Sequence, residues 1–355
     1  MFKTTRKSSG DDVVLYEICD KDYQINLRIL NVDKLTTIIK YPILKSHKGF
    51  ISSPKEKISR YTTGIEELDE LIGGGLTSGL YIIGANPGLG KTSLALHIAL
   101  NLALKQYYIL IFNLEMSNFQ IITKLLSNYS YRNGLSEEES AMFTINELTS
   151  KSLYNSNSNE FDSKLEKLYE DYISNIDQFI NIVTYSDEND CRYVEFIHTA
   201  LENYSKYHDV KPVVIVDFLQ LLKVSPAYDE KNEIINKPLN RRLEVDTIVE
   251  KLKKYSKKFD VPIIVISSLS RSGYTKEEND DNDYEYSLSV FKESGQIEYT
   301  ADFIALLTRG DTKINFDGAD EEVIILNVLK NRYGKTGSKI YFKFVSDYSF
   351  FSAEK

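Results

Sequence analysis

The chain has no tryptophan in 355 residues, and only two cysteines, three methionines, four histidines and seven prolines. Cys19 and Cys191 stand far apart and match no metal-ligand spacing, so neither a disulfide framework nor a cysteine zinc site organises the fold. Reduced, structural thiols are expected. His47, His97, His198 and His208 form no cluster along the chain. No apolar run approaches the ~18 residues that cross a bilayer, so no membrane partner is expected. The basic start, Met1 to Lys7, has no apolar segment behind it, so no secretory signal is expected and the chain reads as cytoplasmic. Basic charge is also short: 43 Lys and Arg against 52 Asp and Glu leave a net charge of −9. That excludes a broadly basic nucleic-acid binder. Any contact with nucleic acid must come from a locally basic channel on an acidic body.

Hydrophobic residues make up 42% of the chain and charged residues 27%, the balance of a globular protein. The length allows one large domain and a small appendage. Residues 11–32 read as two short strands: Val13 to Tyr16, a polar turn, then Ile25, Leu27 and Ile29 at strand period. A short helix over 34–44 is interrupted by Pro42, and 45–60 read as a polar linker. Two regions follow: 1–60, a hairpin plus linker, and 61–355, the main domain. In the latter, strands at 107–114, 179–185, 213–217 and 261–266 alternate with helices at 117–130, 160–175, 193–207 and 241–259. Ser150 to Asn159 and the acidic stretch 273–286 read as loops. Strands at 301–307, 323–329 and 339–345 close the chain. The fold class is therefore α/β, a mostly parallel sheet with helices on both faces and an antiparallel C-terminal edge.

The most informative string is Ala85-Asn86-Pro87-Gly88-Leu89-Gly90-Lys91-Thr92, followed by Ser93. It lies between an apolar strand, Leu80 to Ile83, and an apolar helix. That is the context of a phosphate-binding loop, whose backbone N–H groups wrap the phosphates at a helix N-terminus. Lys91 is placed to reach the β- and γ-phosphates and the Thr92 hydroxyl to ligate Mg²⁺. The first position departs from the usual glycine, being Ala85.

Two carboxylates end apolar strands and so face the ligand crevice of an open α/β sheet. Asp217 closes Val213 to Val216 and is expected beside the metal of the phosphate loop. Glu115 follows Tyr108 to Leu114 and is placed to polarise an attacking water. From the pattern alone, Glu115 reads equally well as a charge that complements the dipole of the next helix.

From about Tyr61 onward the chain resembles the C-terminal motor domain of DnaB-like replicative helicases, a RecA-like hexameric ATPase. The resemblance rests on Thr63-Gly64 with Leu68-Asp69, Gly73-Gly74-Gly75-Leu76, and the phosphate loop from Gly84 to Thr92, whose leading alanine the family shares. It continues through Leu114-Glu115-Met116, Asp217-Phe218-Leu219-Gln220-Leu221-Leu222, Asn240-Arg241 with Glu244-Val245, and Val261-Pro262. Lys292-Glu293-Ser294-Gly295 with Ile297-Glu298, Ala301-Asp302 and Lys330-Asn331-Arg332 complete the series. RadA-like recombinases share the first of these strings and lack the later ones.

The resemblance implies ATP and Mg²⁺ as cofactors, held by residues 85–93 and, near the metal, by Gln220. It implies Glu115 as the catalytic glutamate, Asp217 as the metal-side aspartate, and Lys330 and Arg332 as cations inserted into a neighbour's ATP site. It further implies a homo-oligomer, expected to be a hexamer, acting on single-stranded DNA with 5′→3′ polarity. Lys292, Glu293 and Gly295 would face the strand, with Arg241 and Arg242 as a second contact. A primase or a loader is the expected protein partner.

Two departures stand out. Ser268 occupies the position where the family carries a glutamine, and the first sixty residues cannot supply the family's helical N-terminal domain. The chain thus resembles truncated variants of the kind found in phages and mobile elements. Besides a helicase or translocase, two other readings stay open: an ATP-gated assembly or loading factor, and a RadA-like recombinase.

Overall fold

The computed structural model describes the backbone of β1 (Lys3–Ser9), β2 (Val13–Asp20) and β3 (Tyr23–Leu27), and then residues 59–136, 141–149, 159–184, 191–226, 240–269, 295–310, 314–316, 319–321 and 323–353. The helix expected at 34–44, most of the linker, most of the Ser/Asn-rich loop, the acidic stretch 273–286, and Lys292 and Glu293 lie outside the described residues. At the start of the chain three strands, not two, form an antiparallel sheet. The expected hairpin is β2–β3, and β1 joins it from Lys3↔Cys19 to Ser9↔Val13. The charges Lys3, Arg6 and Lys7 hid the extra strand, because they leave no apolar alternation to read.

The main domain is built on a nine-stranded sheet. Its strands are β4 (Gly79–Ala85), β5 (Ile109–Asn113), β6 (Ile180–Thr184), β7 (Val213–Asp217), β8 (Pro262–Ser268), β9 (Phe303–Arg309), β12 (Val323–Asn331), β13 (Lys339–Val345) and β14 (Phe350–Ala353). Two short strands, β10 (Ile314–Phe316) and β11 (Ala319–Glu321), pair as a separate hairpin. The spatial order is β6-β5-β7-β8-β4-β9-β12-β13-β14. From β6 to β9 neighbours run parallel, and from β9 to β14 antiparallel. The antiparallel edge expected from the sequence is present, with β14 as a strand the pattern did not reveal.

Alternation along β4 divides the core. Leu80 and Ile82 pack with Ile197 and Leu201 of α6 (Val194–Tyr207) and with Val245, Ile248 and Leu252 of α7 (Arg241–Phe259). Tyr81 and Ile83 face the other way, onto Leu94, Ile98 and Leu102 of α2 (Lys91–Leu104) and Ile121 and Leu125 of α3 (Asn118–Ser136). The period-two pattern of a strand thus assigns helices to both sheet faces. That face also receives Leu68 of α1 (Glu66–Leu71) and Leu165 and Leu168 of α5 (Asn159–Asn175); α4 (Ile145–Thr149) and α8 (Gly295–Thr300) complete the set.

Local chemistry sets several boundaries. Asn240 caps α7, its side-chain oxygen accepting from the Leu243 N–H at 2.9 Å, and Asp260 ends the helix in the left-handed region. Ser117 and Gln120 form a reciprocal capping box at the start of α3. The Thr63-Gly64/Leu68-Asp69 string is a structural tie: the Thr63 N–H donates to the Asp69 carboxylate at 2.7 Å, and the Gly64 N–H at 3.3 Å.

Candidate active site

β4 delivers the chain into the loop 85–90 at its carboxyl end. Gly88 and Gly90 have φ of +86° and +79°, which let the backbone turn back on itself before α2. Gly90 is also needed for space: a Cβ there would lie 3.0 Å from the rings of Phe344 and Phe351. Those rings stack at 4.3 Å and floor the loop from the C-terminal hairpin. The loop therefore turns on an apolar seat at the N-terminus of a buried helix, the positive end of its dipole.

The order of strands brings the carboxyl end of β7 toward the start of α2. The Thr92 hydroxyl donates to Asp217 Oδ2 at 2.7 Å, across 125 residues of sequence. Asp217 is 3% exposed, and burial pushes its carboxyl above the usual aspartate range, opposed by the Thr92 hydrogen bond and by Lys91 and Lys124. Its Oδ1 is buried with no hydrogen-bond partner among the described residues. A hydroxyl and an under-satisfied carboxylate side by side are hard oxygen donors, the type that holds Mg²⁺ together with phosphate and water. The fit to the expected metal is therefore good. Lys91 Nζ stands 5.9 Å from the centre of the Phe218 ring, above the same crevice. Glu115 lies exposed just past β5, in a turn that Asn113 closes on both polar groups of Met116. Its charge is felt at Asp217.

Gln220, expected near the metal, ties two strand ends together. Its amide donates to the Ser267 hydroxyl and the Ser268 carbonyl, both at 3.0 Å, and accepts from the Ser268 N–H at 3.0 Å. It links the exit of β7 to the exit of β8, whose Ser268 pairs with Ala85 at the head of the phosphate loop. Gln220 lies in the 3-10 turn Leu219–Leu221 that follows β7.

Lys330 and Arg332 lie at the other end of the sheet. Lys330 donates to the carbonyls of Glu298 and Tyr299, and Arg332 to the Tyr299 carbonyl at 2.7 Å. Arg332 also pairs with Asp302, next to the first residues of β4. Leu80 and Ala85 sit near opposite ends of that strand, roughly 16 Å apart at ~3.3 Å per residue. Within one chain, then, these cations do not meet the phosphate loop. Of the expected strand-facing residues, Arg241 and Arg242 are exposed at the start of α7. A Cβ on Gly295 would lie 3.7 Å from an Arg242 nitrogen, so this pair is adjacent. Arg241 is engaged, donating to the Leu222 carbonyl at 3.0 Å and to Glu244 at 2.6 Å.

Lys124 was not singled out by the sequence. Its half-buried ammonium reaches the hydroxyls of Ser93 and Ser349, each at 3.3 Å, behind the phosphate loop. Burial lowers its pKa, and Asp217 opposes the shift. A lysine on an amphipathic helix reads as a solvated charge, and only the strand packed beyond α3 reveals otherwise.

A family model described as the DnaB-like helicase C terminal domain matches residues 61–353. The replicative DNA helicase DnaB of Geobacillus stearothermophilus is 28% identical over 305 residues, covering 83% of this chain and 57% of that protein. The replicative DNA helicase DnaB of Mycoplasma genitalium is 30% identical over 336 residues, covering 93% of this chain and 63% of its own length. The chain thus spans less than two thirds of these curated relatives. Among solved structures, one of an isolated ATPase domain superposes with a TM-score of 0.63 at 25% identity, over 84% of this chain and 92% of that one. A DnaB-like replicative helicase, studied with its interactions with primase, superposes with a TM-score of 0.63 at 24% identity over 83% of this chain and 62% of that one, a likeness of fold.

Proposed function

We propose, from the premise that this chain belongs to the DnaB-like helicase C-terminal domain family, that it is an ATP-driven DNA helicase or translocase acting in replication of a cell or mobile element. In this reading it works as a homo-oligomeric ring on single-stranded DNA. The observation that carries the proposal is the Thr92–Asp217 contact at 2.7 Å beneath Lys91, with the Glu115 carboxylate on the crevice rim. Residues 85–93 bind the triphosphate through backbone N–H groups. Lys91 pairs with the outer phosphates. Glu115 orients water for attack and takes its proton. Thr92 and Asp217 would hold Mg²⁺, which would supply charge neutralisation for the triphosphate. Lys330 and Arg332, remote from their own loop, serve the site of an adjacent subunit, where an arginine in trans is worth about 10³–10⁵ in rate. Arg241, Arg242, Lys292, Glu293 and Gly295 contact the strand backbone without reading sequence.

Strand separation on a forked duplex tests this directly. Unwinding should require ATP and Mg²⁺, and Glu115→Gln should abolish it while ATP binding persists. Hydrolysis with no strand separation or strand-stimulated turnover would discard the helicase reading. The ATP-gated assembly factor is the second reading, and Ser268 favours it, since its hydroxyl is too short to sense the γ-phosphate across the crevice. A Glu115→Gln protein that still assembles and recruits partners, locked on by ATP, is the result that reading requires.

A further inference from the structure

Asp302 is 5% exposed and sits where four elements meet. Its Oδ2 accepts from the Leu80 N–H at 2.8 Å, at the start of β4, and from the Lys253 ammonium of α7. Its Oδ1 accepts from Arg332 Nη1 at 3.2 Å, and its backbone carbonyl from the Arg332 N–H at 2.9 Å. Arg332 is therefore held by one residue at both its main chain and its guanidinium. A third point comes from the Tyr299 carbonyl at 2.7 Å, which also receives Lys330. Upstream of the pair the β9–β12 register shifts between Val328 and Lys330, an irregularity that re-aims the residues after it. The result is a socket. Carbonyls at the end of α8 and one buried carboxylate fix two neighbouring cations that would otherwise repel each other. The side chain of Arg332 stays about half exposed, at 49%, so it is oriented without being withdrawn from the surface.

A buried carboxylate facing both Lys253 and Arg332 is more than a single structural ion pair needs. The Leu80 N–H and Lys253 already satisfy one oxygen, and the second is given wholly to Arg332. We infer that Asp302 is a positioning residue for the trans cations: it sets the direction in which Arg332 leaves the protomer toward a neighbour's triphosphate. The inference rests on the proposed role of Arg332 and adds the residue through which that role is exerted. Tethering removes rotamer freedom from a long side chain before the neighbour arrives, so less orientation has to be found at each turnover.

The test uses the full chain. Asp302→Asn keeps an acceptor for Leu80 and removes the charge that holds Arg332. Its kcat for ATP should fall at least ~10-fold with KM changed less than ~3-fold. Adding Arg332→Ala to Asp302→Asn should cost no more than Arg332→Ala alone, because the two act as one unit. Mixing Asp302→Asn subunits with Lys91→Ala subunits, which carry an intact socket but no working loop, should restore turnover above the mean of the separate proteins. Arg332→Ala mixed with Lys91→Ala is the control. If that control shows no rescue, the trans reading itself fails. If the control is rescued while Asp302→Asn turns over normally, or is impaired but never rescued, the positioning role is wrong. Should Asp302→Asn not fold, Lys253→Met decides: turnover should be retained, and a loss as large as that of Arg332→Ala overturns the inference, since Asp302 would then act through Lys253.

Discussion

Glu115 and Asp217 end neighbouring strands yet sit in opposite surroundings: one exposed, the other buried against Thr92 with an unpartnered oxygen. The exposed carboxylate is free to handle a water and its proton, so Glu115→Gln is expected to lower hydrolysis by about 10²–10⁴ with ATP binding intact, read by single-turnover kinetics beside nucleotide titration. The buried one costs stability. A carboxyl whose pKa is raised on folding binds its proton more tightly in the folded state, so stability is lost as pH rises from the ordinary aspartate range through the raised value. Nucleotide-free Asp217→Asn should accordingly melt above the parent at neutral pH, and the gap should close in acid. A parent that melts higher than the variant at pH 7 would show that Asp217 is not strained by desolvation. The strand-end position of Asp217 was legible from the apolar run before it, whereas for Glu115 the pattern alone left a helix-dipole charge equally open. Asp302 was visible only as part of a string, because its partners Leu80, Lys253 and Arg332 are 222, 49 and 30 residues away.

At the scale of elements, the phosphate loop and the C-terminal hairpin are one mechanical unit. Gly90 seats on Phe344 and Phe351, and Lys124 ties Ser93 to Ser349. Behind them Arg132 stands 2.9 Å from His97 Nδ1 and donates to Asn128 at 2.7 Å, with its guanidinium over Phe350. Burial brings Arg132 down to about 10 and, aided by that cation, keeps His97 neutral far below its usual range. Gly90→Ala should strain the left-handed turn and drive a methyl into the ring pair, with a cost of about 1–3 kcal/mol and at least tenfold weaker ATP binding, checked by urea denaturation and nucleotide titration. Arg132→Ala leaves buried acceptors unpaired and should lose about 1–3 kcal/mol without changing KM for ATP. The long periodic elements were readable: α7 has the predicted bounds because Asn240 caps it and its apolar stripe is continuous. Short or charged elements were not. β14 has four residues, α1 six, and β1 is rich in lysine, arginine and hydroxyls, so none carries a period long enough to recognise.

For the whole molecule, the sheet separates two clusters of candidate site residues. The loop, Asp217 and Glu115 lie at the carboxyl ends of the parallel strands, and the Lys330–Arg332 socket at their amino ends. On the proposed reading a single chain holds both halves and completes neither, so assembly would be the condition of turnover. The acidic net charge of −9 keeps such a body from binding nucleic acid indiscriminately, so strand binding should be confined to the Arg241–Gly295 neighbourhood and weaken steeply with salt. Replacing Arg242 by glutamate should reduce single-strand affinity and its salt slope while basal turnover without DNA persists. The most direct measurement of the central claim is ATPase activity per chain across protein concentration, with and without single-stranded DNA. The account predicts low activity in dilute protein, a steep rise as subunits assemble, and stimulation by the strand. Activity per chain that is flat with concentration and indifferent to DNA would contradict it.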